Sequence, residues 1–81
     1  LEAADLNGAI LIQCDLREAD LRGANLESAD FQGADLRQAN LQGVYLGRHH
    51  NQANFLEAIL DGAVWENGQR CQPGSIGKCI F

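Results

Sequence analysis

Large apolar residues recur every five positions through most of this chain: Leu1, Leu6, Leu11, Leu16, Leu21, Leu26, Phe31, Leu36, Leu41 and Leu46. The series resumes at Phe55, Leu60 and Trp65. A small residue, usually Ala, sits two places before each, and Asp or Asn usually lies between. A period of five fits neither regular element. An amphipathic helix repeats its apolar face at about 3.6 residues, and a strand at about 2. On a straight helix, steps of five would smear Leu around the whole cylinder. Asp and Asn also oppose a continuous helix by competing for its backbone, and each Gly costs it about 1 kcal/mol. A chain that turns a corner every five residues resolves the conflict. Each short side points one large and one small residue inward, and four sides close a square coil. Stacked coils then pair their backbones about 4.8 Å apart, like strands of a parallel sheet.

Ala19-Asp20-Leu21-Arg22-Gly23, Ala24-Asn25-Leu26-Glu27-Ser28 and Ala34-Asp35-Leu36-Arg37-Gln38 resemble the Ala-(Asp/Asn)-Leu-X-X motif of the pentapeptide-repeat family. The resemblance runs from Leu1 to about Asn67. It implies an all-β fold, a right-handed quadrilateral β-helix of about three coils. It says little of activity, because function does not follow from fold. The chain then divides into a repeat domain, 1–67, with a one-residue slip at 48–52, and a C-terminal capping tail, 68–81.

Four five-residue sides place residues twenty apart in one column. Leu1 stacks on Leu21 and Leu41, Leu11 on Phe31, and Leu16 on Leu36. After the slip the expected offset is nineteen, which puts Phe55 under Leu36, Leu60 under Leu41 and Trp65 under Leu46. One inward column is therefore Leu6, Leu26, Leu46 and Trp65. Each fully buried Leu or Phe contributes about 1.5–3 kcal/mol. Cys14 takes a small-residue position and is expected as a buried free thiol.

The slip lies in Arg48-His49-His50-Asn51-Gln52. Counted forward from Leu46, Asn51 takes the inward centre; counted back from Phe55, His50 takes it. Either count leaves a short side beneath Phe31 without an apolar centre. His49, His50 and Asn51 are expected to form an irregular corner with polar side chains in solvent. Neighbouring side chains diverge on an extended side, so His49 and His50 make a poor chelating pair. No metal and no cofactor is expected.

Outward residues form their own ladders. Asp15 and Arg17 stack near Asp35 and Arg37, which allows crosswise pairs such as Arg17–Asp35, each worth about 0–1 kcal/mol. Ile10 and Ile12 point outward, as do Tyr45, Leu56, Ile59 and Val64, with Tyr45 stacking on Val64. The lower set needs cover, either from Ile76, Ile80 and Phe81 of the tail or from a partner protein.

Cys71 and Cys79 bracket the turn-rich stretch Gln72-Pro73-Gly74-Ser75-Ile76-Gly77-Lys78. A disulfide closing it would contribute roughly 2.5 kcal/mol and requires an oxidising compartment; two thiols of a cytoplasmic protein are the alternative. The tail also resembles those of cyanobacterial pentapeptide-repeat proteins, which implies the periplasm or thylakoid lumen. Gly74-Ser75-Ile76-Gly77-Lys78 is not a phosphate loop. The first Gly of that motif would fall at Gln72, and Cys79 replaces the Ser or Thr that holds magnesium.

The chain has 81 residues and a net charge of −5, which allows one domain with a small core. Its acidity opposes binding to nucleic-acid phosphates. No apolar run approaches the roughly 18 residues of a membrane span, so no membrane insertion is expected. The chain starts at Leu1 inside a repeat without a Met, so upstream residues are expected. Neither Ser28 nor Ser75 sits in a nucleophile motif, so no catalytic residue is assigned. The expected role is a non-enzymatic structural or protein-interaction module, monomeric or weakly associated end to end. The alternative comes from the family resemblance: some members are acidic DNA mimics that bind a type II topoisomerase, DNA gyrase. A stack of this length spans roughly 15–20 Å, short of the 34 Å or so of a DNA turn.

Overall fold

The computed structural model describes residues 3–48 and 52–81. Among them there is no helix, and strand pairing consists of single bridges between successive turns. The corners share one construction, with a single exception after Leu46. The carbonyl of the inward Leu or Phe accepts the N–H three residues on, as in Leu6 from Ala9 at 2.9 Å, Leu21 from Ala24 at 3.1 Å and Leu36 from Ala39 at 3.0 Å. The residue before that Ala has a positive φ, +72° at Gly8 and +64° at Gln38. This is the signature of a type II turn, which glycine adopts without steric cost.

The Asp or Asn of each repeat has a local task. Its Oδ1 accepts the N–H two residues on, as in Asp5 from Asn7 at 3.1 Å, Asn25 from Glu27 at 3.0 Å and Asn54 from Leu56 at 2.9 Å. A short polar side chain thereby folds over the corner in an Asx turn. This accounts for the preference at that position without any appeal to chemistry.

Corners close coils, and coils stack. Parallel bridges join Asp5 to Asn25 and Asn25 to Tyr45, Ile10 to Asp30, Asp15 to Asp35, and Asp20 to Asn40. The offset is twenty residues. Below Asp30 it changes: Asp30 bridges Asn54, Asp35 bridges Ile59, and Asn40 bridges Val64. Here the offset is twenty-four, and the expected nineteen is corrected. The cause lies at one corner. Ala53 N–H donates to the Leu46 carbonyl at 2.8 Å, although the two are seven residues apart where other corners use three. Between Leu46 and Ala53 the sequence therefore holds four residues more than between the partners of the other corners. Surplus residues at a corner leave each side intact, whereas a side one residue short would turn its inward residues outward.

The columns are reassigned accordingly. Leu11, Phe31 and Phe55 form one, Leu16, Leu36 and Leu60 another, and Trp65 lies under Leu41. Trp65 therefore does not belong with Leu6, Leu26 and Leu46. The side beneath Phe31 has an apolar centre after all, namely Phe55. Val64 lies under Asn40, not Tyr45. The irregular corner predicted at His49, His50 and Asn51 lies outside the described residues.

Leu21, Leu26, Phe31, Leu36, Leu41 and Leu60 are fully buried, with Ala24, Ala34, Ala39, Ala58 and Ala63 between them. Leu6, Leu11 and Leu16 of the first coil are only partly buried against this core. Cys14, in the same coil, is a half-buried free thiol and not the fully buried one expected.

Candidate functional site

Two regions gather polar or uncovered groups. The first is a charged face. Arg17 grips Asp15 with both Nε, at 2.8 Å, and Nη2, at 2.7 Å. Arg22 grips Asp20 in the same way at 2.9 and 2.8 Å, and Arg37 grips Asp35 at 2.9 and 2.7 Å. The crosswise pair Arg17–Asp35 is present but long, at 4.0 Å. The guanidinium beside each carboxylate holds Asp15 and Asp20 down at about 2, and lowers Asp35. A shallow depression of about 310 Å³ lies between Arg17, Glu18, Arg37, Gln38 and Asp61. Arg17 and Arg37 each already hold a carboxylate bidentately, so the depression has no unneutralised cationic wall for an anion.

The second region is the C-terminal end of the stack. After Trp65 the chain reverses and runs back antiparallel along the last coil, with Val64 bridged to Arg70 and Ile59 to Ile76. Trp65 N–H donates to the Gln69 carbonyl at 2.7 Å, Cys71 N–H to Ala63 at 2.7 Å, Leu60 N–H to Ser75 at 2.8 Å and Gly77 N–H to Ala58 at 2.9 Å. Cys71 and Cys79 are joined by a disulfide, with Cα atoms 5.0 Å apart. Inside the loop they close, Ser75 is fully buried. Its hydroxyl donates to the Gln72 carbonyl at 2.6 Å and accepts from Ile80 N–H at 2.9 Å. Asp61 Oδ1 accepts from the N–H groups of Gly74 and Ser75 at 3.2 and 3.0 Å. Arg70 reaches up to the Gln38 side chain and the Gly62 carbonyl.

The tail covers part of what was expected of it. Ile59 and Val64 are paired with it, but Tyr45 remains 45 % exposed and Leu56 56 %. Ile76, Ile80 and Phe81 are themselves exposed. Trp65 is half-buried and meets Phe55 edge-on, with ring centroids 5.4 Å apart. Beside this contact a cleft of about 280 Å³ opens between Leu46, Gln52, Ala53, Phe55, Trp65 and Gly77.

Asp61 and Ser75 were not singled out as structural anchors by the repeat pattern. Asp61 stands at a corner position that tolerates any polar residue, and Ser75 lies outside the repeat. Among the described residues no cluster of His, Cys, Asp and Glu suits a metal ion, and no helix is long and apolar enough to cross a membrane.

A family model for pentapeptide repeats matches residues 1–38 as eight copies. No curated protein matches the chain significantly.

Proposed function

We propose, from the match of residues 1–38 to the pentapeptide-repeat family, that the chain is a right-handed quadrilateral β-helix acting as a non-enzymatic structural or protein-interaction module. One observation carries this reading: the interior of the stack is filled by columns of Leu, Phe and Ala, while the polar side chains are spent on the corners and on each other. Such a body has rigid faces and offers them for contact. The tail, residues 68–81, acts as its C-terminal cap on the sides of Leu60 and Trp65, where it shields apolar residues and backbone groups that would otherwise be unpaired. The Cys71–Cys79 disulfide favours an oxidising compartment such as the periplasm or thylakoid lumen.

The DNA-mimic reading has less support. The chain measures only 27 × 23 × 21 Å, and Asp15, Asp20 and Asp35 each face a guanidinium that offsets their charge. The test is a native pull-down from the compartment in which the protein resides, paired with a gyrase supercoiling assay. The proposal expects a partner retained by the folded chain and lost on denaturation, with supercoiling unaffected. Stoichiometric inhibition of supercoiling would transfer the assignment to the DNA mimic.

A further inference from the structure

Among the described residues, the C-terminal end of the stack is closed on two of its four sides. In every coil the inward residue sends its N–H to the coil below, as Leu26 does to Tyr45 at 2.8 Å and Phe31 to Asn54 at 2.7 Å. The small residue two places earlier accepts from that coil, as Ala4 does from Asn25 at 2.9 Å and Ala29 from Asn54 at 2.8 Å. On the sides of Leu60 and Trp65 in the last coil, the tail takes these bonds. On the sides of Leu46 and Phe55 nothing does so among the described residues: the N–H groups of Leu46 and Phe55 and the carbonyls of Val44 and Ala53 have no backbone partner. Leu46 is only partly buried, although Leu26 in its column is fully buried. The 280 Å³ cleft lies on this open half, with Leu46 and Phe55 on one side and Trp65 and Gly77 beside them.

We infer that this half-open rim is a strand-addition site for an extended peptide segment that carries a large apolar residue at each of two successive sides. Backbone bonds along an open edge supply affinity, and the pockets beneath supply side-chain selection. The occupant's chemistry follows from the stack itself. A residue over Val44 and Leu46 must donate to the first and accept from the second, and the next residue must drop an apolar side chain onto Leu46. The same rule repeats at Ala53 and Phe55. The site is continuous with the edge the tail already occupies, where the chain satisfies the same groups by strand addition. Residues 24–33 of this protein meet those conditions on the coil above them: Asn25 and Asp30 donate to the carbonyls of Ala4 and Ala9 and accept from the N–H groups of Leu6 and Leu11, and Leu26 and Phe31 follow them in the Leu6 and Leu11 columns. The inference rests on the reading of the chain as an interaction module and names the edge through which it would act.

Trp65 is the only tryptophan in the chain and lines the cleft, so its emission reports occupancy. The probe is a capped synthetic peptide copying residues 24–33, titrated into the oxidised 81-residue chain, with amide hydrogen exchange followed residue by residue. The expected result is a saturable blue shift of Trp65 emission and new protection at the Leu46 and Phe55 amides. A peptide with Leu26→Ser and Phe31→Ser should bind at least about tenfold more weakly, the loss that removing buried apolar contacts implies. No saturable shift, equal binding of the two peptides, or protection confined to other amides would each overturn the site. The free chain supplies a separate check. If its Leu26 and Phe31 amides exchange freely, the stacked coil itself fails; if they are protected and the peptide does not bind, only the docking edge fails.

Discussion

The ring of Phe55 lies face to face with that of Phe31, their centroids 5.1 Å apart and their planes 2° from parallel. This contact places the third coil under the second at a spacing of twenty-four residues. It also joins the regular repeat above to the end that the tail pairs with below, because Phe55 in turn meets Trp65.

Phe55→Ala removes the middle of this aromatic series. The chain should lose about 3–5 kcal/mol, the usual cost of deleting a buried aromatic ring from a packed column. Leu56→Ala, one residue on but exposed, should change stability by no more than about 0.5 kcal/mol. Urea denaturation of both variants checks the contrast, and equal losses would contradict the assignment of inward and outward positions.

Deleting residues 48–51 should leave the stack intact. The remaining Leu46-Gly47-Gln52-Ala53 has the length of every other corner, and Gln already takes the positive-φ position at Gln13 and Gln38. Loop length alone alters stability by less than about 1 kcal/mol at this scale. Cooperative thermal unfolding with a midpoint close to that of the parent is expected. A chain that no longer unfolds cooperatively would show that these residues belong to a side.

The columns, the corners and the cysteine bracket were legible because each has a periodic or chemical signature in the residues. The register past Leu46 was not. Phe55 stands nine positions after Leu46, and nine is equally ten less one or five plus four. Arg48, His49, His50, Asn51 and Gln52 carry no apolar residue that distinguishes the two, so side-chain type could not choose between a short side and a long corner. Closure of the corner by Ala53 and Leu46 decides it, and that is a backbone bond. That the tail pairs with the sides of Leu60 and Trp65 and with no others among the described residues was not legible, because its reach depends on where the chain reverses after Trp65.

Acid should weaken the charged face. The carboxyls of Asp15 and Asp20 are held at about 2, below the ordinary 3.8, by the guanidiniums of Arg17 and Arg22. A carboxyl whose folded-state pKa is depressed stabilises the fold above its unfolded value and loses that contribution as pH falls through the folded one. The melting midpoint should therefore fall between about pH 4 and pH 2. Both pairs are exposed, so the effect should be small and should shrink in high salt. A thermal series in the D15N/D20N variant checks this, since the decline there should be shallower.

Cys79→Ser should open the loop around Ser75 and lower stability by about 2–4 kcal/mol, the usual contribution of a disulfide. Alkylation of the unfolded parent chain followed by intact-mass analysis should find one thiol without reductant, that of Cys14, and three with it.

The central claim is the stacking register, and couplings across hydrogen bonds measure it bond by bond. In an isotopically labelled sample, the amide nitrogen of Leu36 should couple to the carbonyl carbon of Ile59, and that of Phe31 to Asn54, the partners found here at 2.8 and 2.7 Å. A coupling from Leu36 to Asn54 instead would restore the nineteen-residue offset. It would place Trp65 back beneath Leu46 and contradict the account of both the long corner and the open rim.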